Sequence, residues 1–146
     1  GEIKITSSFD TMNHVAVDEK ENVEIVEVRK MDSILKKKEP TLIKIDVEGF
    51  ETKVLEGMNE TLNMNSLKAI IIELNGSGKR YGFQEELIHE KLVNYGFTPY
   101  QYSPYCRKLN TLNMYGDKNT IYVRDEAFTR SRLEVARKFR IFDELI

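Results

Sequence analysis

Four polar side chains stand where apolar runs of the chain stop. Asp46 and Glu48 lie in Ile45-Asp46-Val47-Glu48-Gly49, and Glu73 and Asn75 lie in Glu73-Leu74-Asn75-Gly76. Three carboxylates and an amide at two strand ends can abstract a proton, hold a cation or recognise hydroxyl groups. In open α/β sheets ligands bind outside the carboxyl ends of the strands, so chemistry is expected here. Asp46 interrupts an apolar strand where a structural residue would be Val or Ile, and a carboxylate buried there needs partners. Glu48 has a second reading, since with Glu51 it puts negative charge in the first turn of the next helix, where the dipole favours it. Glu73 equally reads as a solvated residue just past the buried stretch.

Alternating strands and helices must position these residues. Glu2 to Ser8 and Val23 to Val28 read as strands, with His14 to Val17 a candidate third and Asp18 to Asn22 a charged turn. Met31 to Lys38 reads as a short helix stopped by Pro40, with Lys36, Lys37 and Lys38 near its C-terminal end. Leu42 to Val47 reads as a largely buried strand interrupted by Lys44. A helix follows, carrying Phe50, Val54, Leu55 and Met58 on one face and capped at Gly57; Asn59 to Ser66 is a polar connection with room for one more turn. Ala69 to Leu74, with four consecutive apolar residues, is a central strand covered on both faces. After the loop Asn75 to Gly82, Phe83, Leu87, Ile88 and Leu92 form the stripe of a helix closed by Gly96. This succession argues for βαβ units with right-handed crossovers. Thr98 to Tyr102 and Asn119 to Val123 then read as an antiparallel edge, and a final helix from Asp125 or Glu126 sets Phe128, Val135, Phe139 and Phe142 near one face.

The 146 residues suffice for one domain with a substantial core, and 40% hydrophobic against 32% charged residues is ordinary for a globular protein. A formal charge of -2 supplies no general field toward nucleic acid or anionic membrane. Cys106 is the single cysteine, so no intramolecular disulfide forms, and a reducing compartment is the easier reading. No apolar run approaches a membrane span, and the N-terminus lacks a signal-peptide pattern, so the expected location is the cytoplasm. The chain opens directly on a strand without an initiator Met, as expected of a piece of a longer protein.

Other candidates rank lower. His14 and His89 are far apart in sequence, and His89, beside Glu90, reads as part of a solvated helix surface. Cys106 has no evident His partner. Tyr95, Tyr100, Tyr102 and Tyr105 could line an acceptor pocket, especially for a sugar, or simply pack around a strand. The basic residues Arg130, Arg132, Arg137, Lys138 and Arg140 are interleaved with Glu134 and read as a solvated face rather than a nucleic-acid site.

The segment Leu42-Ile43-Lys44-Ile45-Asp46-Val47-Glu48-Gly49-Phe50-Glu51, followed by Val54-Leu55-Glu56-Gly57, resembles the FkbM-type family of S-adenosylmethionine-dependent methyltransferases. Val28 to Leu35 is similar to that family's Leu-Asp-Ser-type segment, and the resemblance runs from about Val23 to Val123. It implies an α/β fold on a Rossmann-like methyltransferase sheet, mostly parallel with an antiparallel C-terminal edge. Leu42 to Val47 would be its fourth strand and Ala69 to Leu74 its fifth; the first strands are absent. The whole chain, 1–146, would then be the C-terminal portion of a single domain: lead-in strands and short helix in 1–40, core in 41–124, terminal helix in 125–146.

The cofactor implied is S-adenosyl-L-methionine, yet no strand followed by a glycine-rich turn precedes Leu42. The loop Gly76-Ser77-Gly78-Lys79-Arg80-Tyr81-Gly82 comes too late in the order and lacks the spacing of a phosphate loop. The function implied is methylation of a hydroxyl on a small-molecule or glycan acceptor, this chain supplying the acceptor side. Asp46 and Glu48 would be catalytic, and Glu73 and Asn75 would bind the acceptor. Two alternatives compete: a noncatalytic binding or assembly module with an acidic rim, and a Mg²⁺-dependent phosphoryl-transfer enzyme using Asp46 and Glu48. No nucleic acid, membrane or resident metal is expected as a partner, whereas an exposed edge of the Leu42 to Val47 strand invites self-association.

Overall fold

The computed structural model describes residues 1–18, 22–36 and 38–145. The turn expected at Asp18 to Asn22 lies largely outside the described residues, as does Lys37. Strands β1 (Glu2–Thr6) and β2 (Val23–Glu27) pair antiparallel as a hairpin, and α1 (Met31–Leu35) follows. His14 to Val17 contributes only an isolated bridge, from Val15 to Ile5. Helix α1 is shorter than expected because the chain leaves helical geometry at Lys36, whose φ is 41°.

The main sheet is mixed, in contrast to the mostly parallel sheet expected. β3 (Leu42–Ile45) leads through α2 (Glu51–Glu56) and α3 (Asn59–Asn63) to β4 (Ala69–Glu73), which pairs parallel to it. Helix α4 (Glu85–Asn94), β5 (Thr98–Ser103), β6 (Lys108–Thr111) and β7 (Asn119–Val123) follow, in the spatial order β3-β4-β7-β5-β6. The β4–β7, β7–β5 and β5–β6 pairings are all antiparallel. β7 is therefore interior, and the edge is β6, a strand whose Lys108-Leu109-Asn110-Thr111 carries too weak an alternation to be read from sequence.

Burial explains the arrangement. Ile43 and Ile45 of β3, Ile70 and Ile72 of β4 and Tyr122 of β7 occupy one face, in register, and pack with Leu55, Met58, Leu62, Ile88, Leu92 and Phe97. The opposite face holds a smaller cluster of Ala69, Tyr100, Leu109 and Val123, with Leu133 of α5 (Glu126–Val135) against it. β3 is buried on one face only: Leu42 and Lys44 are exposed. Phe139 and Phe142 lie beyond α5, which ends at Val135. Phe142 is 93% exposed, between the two-residue strands β8 (Arg140–Ile141) and β9 (Glu144–Leu145).

Helices of five or six residues do not hold themselves, because nucleation is unfavourable and few internal bonds repay it. Two side chains from elsewhere secure α3. Asp32, on α1, accepts hydrogen bonds from the amides of Glu60 (3.1 Å) and Thr61 (2.9 Å) and from the Thr61 hydroxyl (2.6 Å), acting as the N-terminal cap of α3. Burial works against its charge, but the Thr61 hydroxyl, the two amides and the Lys30 charge hold the carboxyl below the ordinary aspartate range. Arg124, just past β7, donates to the carbonyls of Leu62, Met64 (2.9 Å) and Tyr95 (2.9 and 3.1 Å). Its guanidinium lies 4.2 Å from the centre of the Phe97 ring. One cation thus serves the C-terminal ends of α3 and α4, where the helix dipole favours positive charge.

Replacing Arg124 by Met should cost about 2–4 kcal/mol in urea unfolding, since the carbonyls lose a charged donor. Asp32→Ala should cost about 1–2 kcal/mol at neutral pH. Because the folded carboxyl titrates below the unfolded one, that stabilisation is full above the unfolded pKa of about 3.9 and disappears as pH falls through the folded value. Unfolding at a series of pH values should show wild type and variant converging in acid.

Candidate active site

β3 and β4 run parallel with Ile45 opposite Ile72, so the register carried one residue further sets Asp46 beside Glu73. Glu73 is in turn opposite Asn119 at the start of β7. The carboxyl ends of two strands thus form a row with the amino end of a third, on the same face of the sheet as Lys44. Asp46 lies just past the strand and is exposed, not buried as expected. Its partner is the Lys44 ammonium, two residues back on the same face. An exposed pair of this kind is worth at most about 1 kcal/mol and yields readily to a competing ligand.

The turn after Asp46 is strained. Glu48 has a φ of 51° and Gly49 a φ of 100°, a left-handed conformation that costs a residue with a side chain about 1 kcal/mol. Glu51, only 4% exposed, secures the turn by accepting from the amides of Val47 (3.3 Å) and Gly49 (3.2 Å). Glu51 and not Glu48 is therefore the carboxylate that ties the start of α2; Glu48 precedes the helix and holds the left-handed position of the turn.

Gly49 also joins the two strand ends. A Cβ at this position would lie 2.6 Å from the carbonyl carbon and oxygen of Ser77 and 2.9 Å from the Gly78 nitrogen, all backbone atoms. The loop after β4 is thereby seated directly on the turn after β3. Asn75, expected to bind an acceptor, instead shapes this loop: its carboxamide oxygen accepts from the Ser77 amide (3.0 Å) and the Ser77 hydroxyl. Glu85, at the start of α4, accepts from the Gly76 amide at 2.6 Å.

A cleft of about 420 Å³ adjoins the rim, between the β1–β2 hairpin on one side and the β3 end with α1 and α2 on the other. Ile3, Ile5 and Val15 face Val47, Phe50 and Val54 across it. Asp46 borders it; Glu48, Glu73 and Asn75 do not. The Tyr81 hydroxyl donates to the Val15 carbonyl at 2.7 Å, and the Tyr81 ring meets Phe50 edge to face at 5.3 Å and Phe83 at 5.8 Å, tying the hairpin to the rim. Sequence reasoning missed this role of the hairpin, since nothing in its alternation shows which surface it covers.

The remaining candidates fall elsewhere. The His89 ring nitrogen lies 2.8 Å from the Tyr122 hydroxyl, so His89 belongs to the interface of α4 with β7 rather than to a solvated surface. Burial, with the Tyr115 charge, pushes the Tyr122 phenol well above its ordinary value. Tyr100 is buried and donates to Glu126 at 2.9 Å, Tyr95 packs on the core, Tyr102 joins the smaller cluster and Tyr105 is exposed; none borders the cleft. Among the described residues no group of three or more His, Cys, Asp or Glu side chains could hold a metal ion, and no helix is long and apolar enough to cross a membrane.

A glycine-rich turn that held S-adenosylmethionine would offer it free amides, and the loop after β4 has several of its amides committed elsewhere. In the one glycine-rich loop the Gly76 and Ser77 amides are already bonded to Glu85 and Asn75, and the Lys79 amide to the Gly76 carbonyl at 3.2 Å.

Gly49→Ala should push the Ser77–Gly78 backbone away and strain the turn, lowering stability by at least about 2 kcal/mol in chemical denaturation. Glu48→Gly, which relieves the left-handed position beside it, should instead stabilise by about 1 kcal/mol.

No curated protein and no solved structure matches the chain. The model of the methyltransferase FkbM domain matches residues 3–99, a span that includes the hairpin, the cleft and both acidic strand ends. By that match over more than half its length, the chain belongs to the FkbM methyltransferase domain family.

Proposed function

We propose that this chain provides the acceptor side of an S-adenosylmethionine-dependent O-methyltransferase built on a Rossmann-like sheet, with β3 and β4 as its fourth and fifth strands. The observation that carries the reading is Asp46, the one residue that stands both in the acidic row at the strand ends and on the border of the cleft. Family membership supports the reaction class, and the parallel β3–β4 pair joined through α2 and α3 supports the strand assignment.

Methyl transfer is an in-line displacement with a good leaving group, so the protein chiefly aligns the acceptor and, for a hydroxyl, removes its proton. Asp46 would accept that hydrogen bond and hold the proton, releasing Lys44 as it does so. Glu48 supports the turn that presents Asp46, and Glu73, its neighbour across the parallel pair, adds a second acceptor of hydrogen bonds. With the Gly76, Ser77 and Lys79 amides already bonded within the loop, the contribution assigned to these residues is acceptor binding and the proton.

One observation favours a second reading, an assembly module: within the described residues β3 is paired on one side only and Leu42 is 55% exposed. An unpaired edge of this kind invites self-association. The phosphoryl-transfer alternative draws no such support, because the partner of Asp46 is an ammonium group.

Asp46→Asn in the intact enzyme should lower kcat about 10²–10⁴-fold, the usual range for loss of a general base, with a smaller change in KM. Unchanged turnover at saturating acceptor would remove Asp46 from catalysis. Calorimetry with S-adenosylmethionine that detects no binding to the intact enzyme would overturn the methyltransferase reading itself.

A further inference from the structure

We infer that the acceptor bears an anionic group, a carboxylate or a phosphate, at the far end of the molecule from the hydroxyl it presents to Asp46. This rests on the reading of the cleft as the acceptor site.

The sign of the charge along the cleft carries the argument. His14 aside, the charged residues that border it among the described residues are the cations Arg29, Lys30 and Lys53 and one carboxylate, Asp46. The chain as a whole has a formal charge of -2, so this excess of cations is local. Glu27, Asp32 and Glu56, the carboxylates that face these cations, do not border the cleft.

The charges are also separated. Gly57 closes α2, and its amide donates to the Lys53 carbonyl at 3.2 Å. A Cβ on Gly57 would lie 3.5 and 3.7 Å from Cα and Cβ of Lys30, so Lys30 and Lys53 spring from the same part of the wall, beside the last turn of α2. Arg29 adjoins them. Asp46 stands before the turn that opens α2, and the six residues of that helix span about 9 Å. The cleft thus has a carboxylate at one end and cations at the other, the pattern that matches a hydroxyl and an anion on one molecule.

These cations are available. Lys30 is exposed and belongs to none of the ion pairs among the described residues, and its neighbour Asp32 is taken up by three hydrogen bonds to α3. The Arg29–Glu27 side chains are 63% and 62% exposed and the Lys53–Glu56 side chains 45% and 52%, so both pairs exchange readily with an incoming anion. Ile3, Val15 and Val54 meanwhile give the cleft apolar walls, between which a charge acts over a longer range than in open water.

Amide chemical shifts during titration with hexanoate, hexyl phosphate, 1-hexanol and hexylammonium, one body with four head groups, test the inference without any methyl donor. At least one of the two anions should perturb the Val15, Val54 and Gly57 amides at a concentration about tenfold below that of hexanol, with hexylammonium the weakest of the four. The tighter anion identifies the oxyanion, and raising the ionic strength should weaken it while leaving hexanol unmoved. Lys30→Met combined with Lys53→Met alters two exposed positions, and in a variant of unchanged thermal stability the preference for the anion should disappear. Hexanol perturbing these amides at or below the concentration of both anions, neither anion perturbing them, or an anion preference that survives the double substitution would each overturn the inference. Anion capture by an intact protein that transfers no methyl group would sink the proposed reaction alone. Methyl transfer with equal kcat/KM to neutral and anionic alcohols would sink the acceptor class alone.

Discussion

The backbone at Gly49 rests on the backbone of Ser77 and Gly78 with no space for a Cβ between them. That contact makes two strand ends into one rim. Parallel strands joined through helices present their carboxyl ends on the same side of a sheet, but the loops beyond them remain independent unless something binds them together. Here the turn after β3 and the loop after β4 are in mutual backbone contact. Each is then tied to its own following helix, the first by Glu51 and the second by Glu85. Asp46 is presented at a defined height because the turn that follows it cannot relax on its own.

The same economy governs the rest of the fold. α1, α2 and α3 are too short to persist by their internal bonds; the ends of α3 are satisfied by groups distant in sequence, Asp32 at its start and Arg124 at its end, and Lys91 donates to the Leu55 carbonyl (2.9 Å) near the end of α2. Helices secured in this way keep the Leu55, Met58 and Leu62 side of the core closed over Ile43, Ile45, Ile70 and Ile72. The sheet is consequently well covered on that face and only partly on the other, where α5 overlies Leu109 and Val123 and leaves the Lys44, Asp46 and Glu73 side open. An open face beside an acidic strand end is where a substrate can approach without displacing core.

Much of this was legible from local chemistry. The uninterrupted Ala69-Ile70-Ile71-Ile72 run, the 3.6-residue stripe of α4 and the stop at Gly96 each carry a strong periodic or steric signal, and each element formed close to where it was expected. The hidden features were those that depend on neighbours. Nothing local in Asn119 to Val123 distinguishes an interior antiparallel strand from an edge, because the decision lies in the pairing with β4. Phe139 and Phe142 continue a helical spacing, yet the helix ends at Val135 and they emerge into solvent. At the site, the two acidic ends and their family resemblance were readable, whereas the exposure of Asp46, the internal use of Asn75 and the cleft under the hairpin follow from tertiary contacts alone.

Hydrogen exchange of individual amides, in wild type and in Glu51→Ala, tests most directly whether the rim is a single mechanical unit. Loss of the Glu51 carboxylate frees the Val47 and Gly49 amides directly, but it reaches the Gly76 amide through the contacts between the two loops, the Gly49 backbone on Ser77 and Gly78 and the Phe50 ring on Tyr81. Joint loss of protection at Gly49 and Gly76, with the Ile70 and Ile72 amides of β4 unaffected, is the result expected of a coupled rim. Release of Val47 and Gly49 with Gly76 still protected would show that the two strand ends move independently, and would contradict the account.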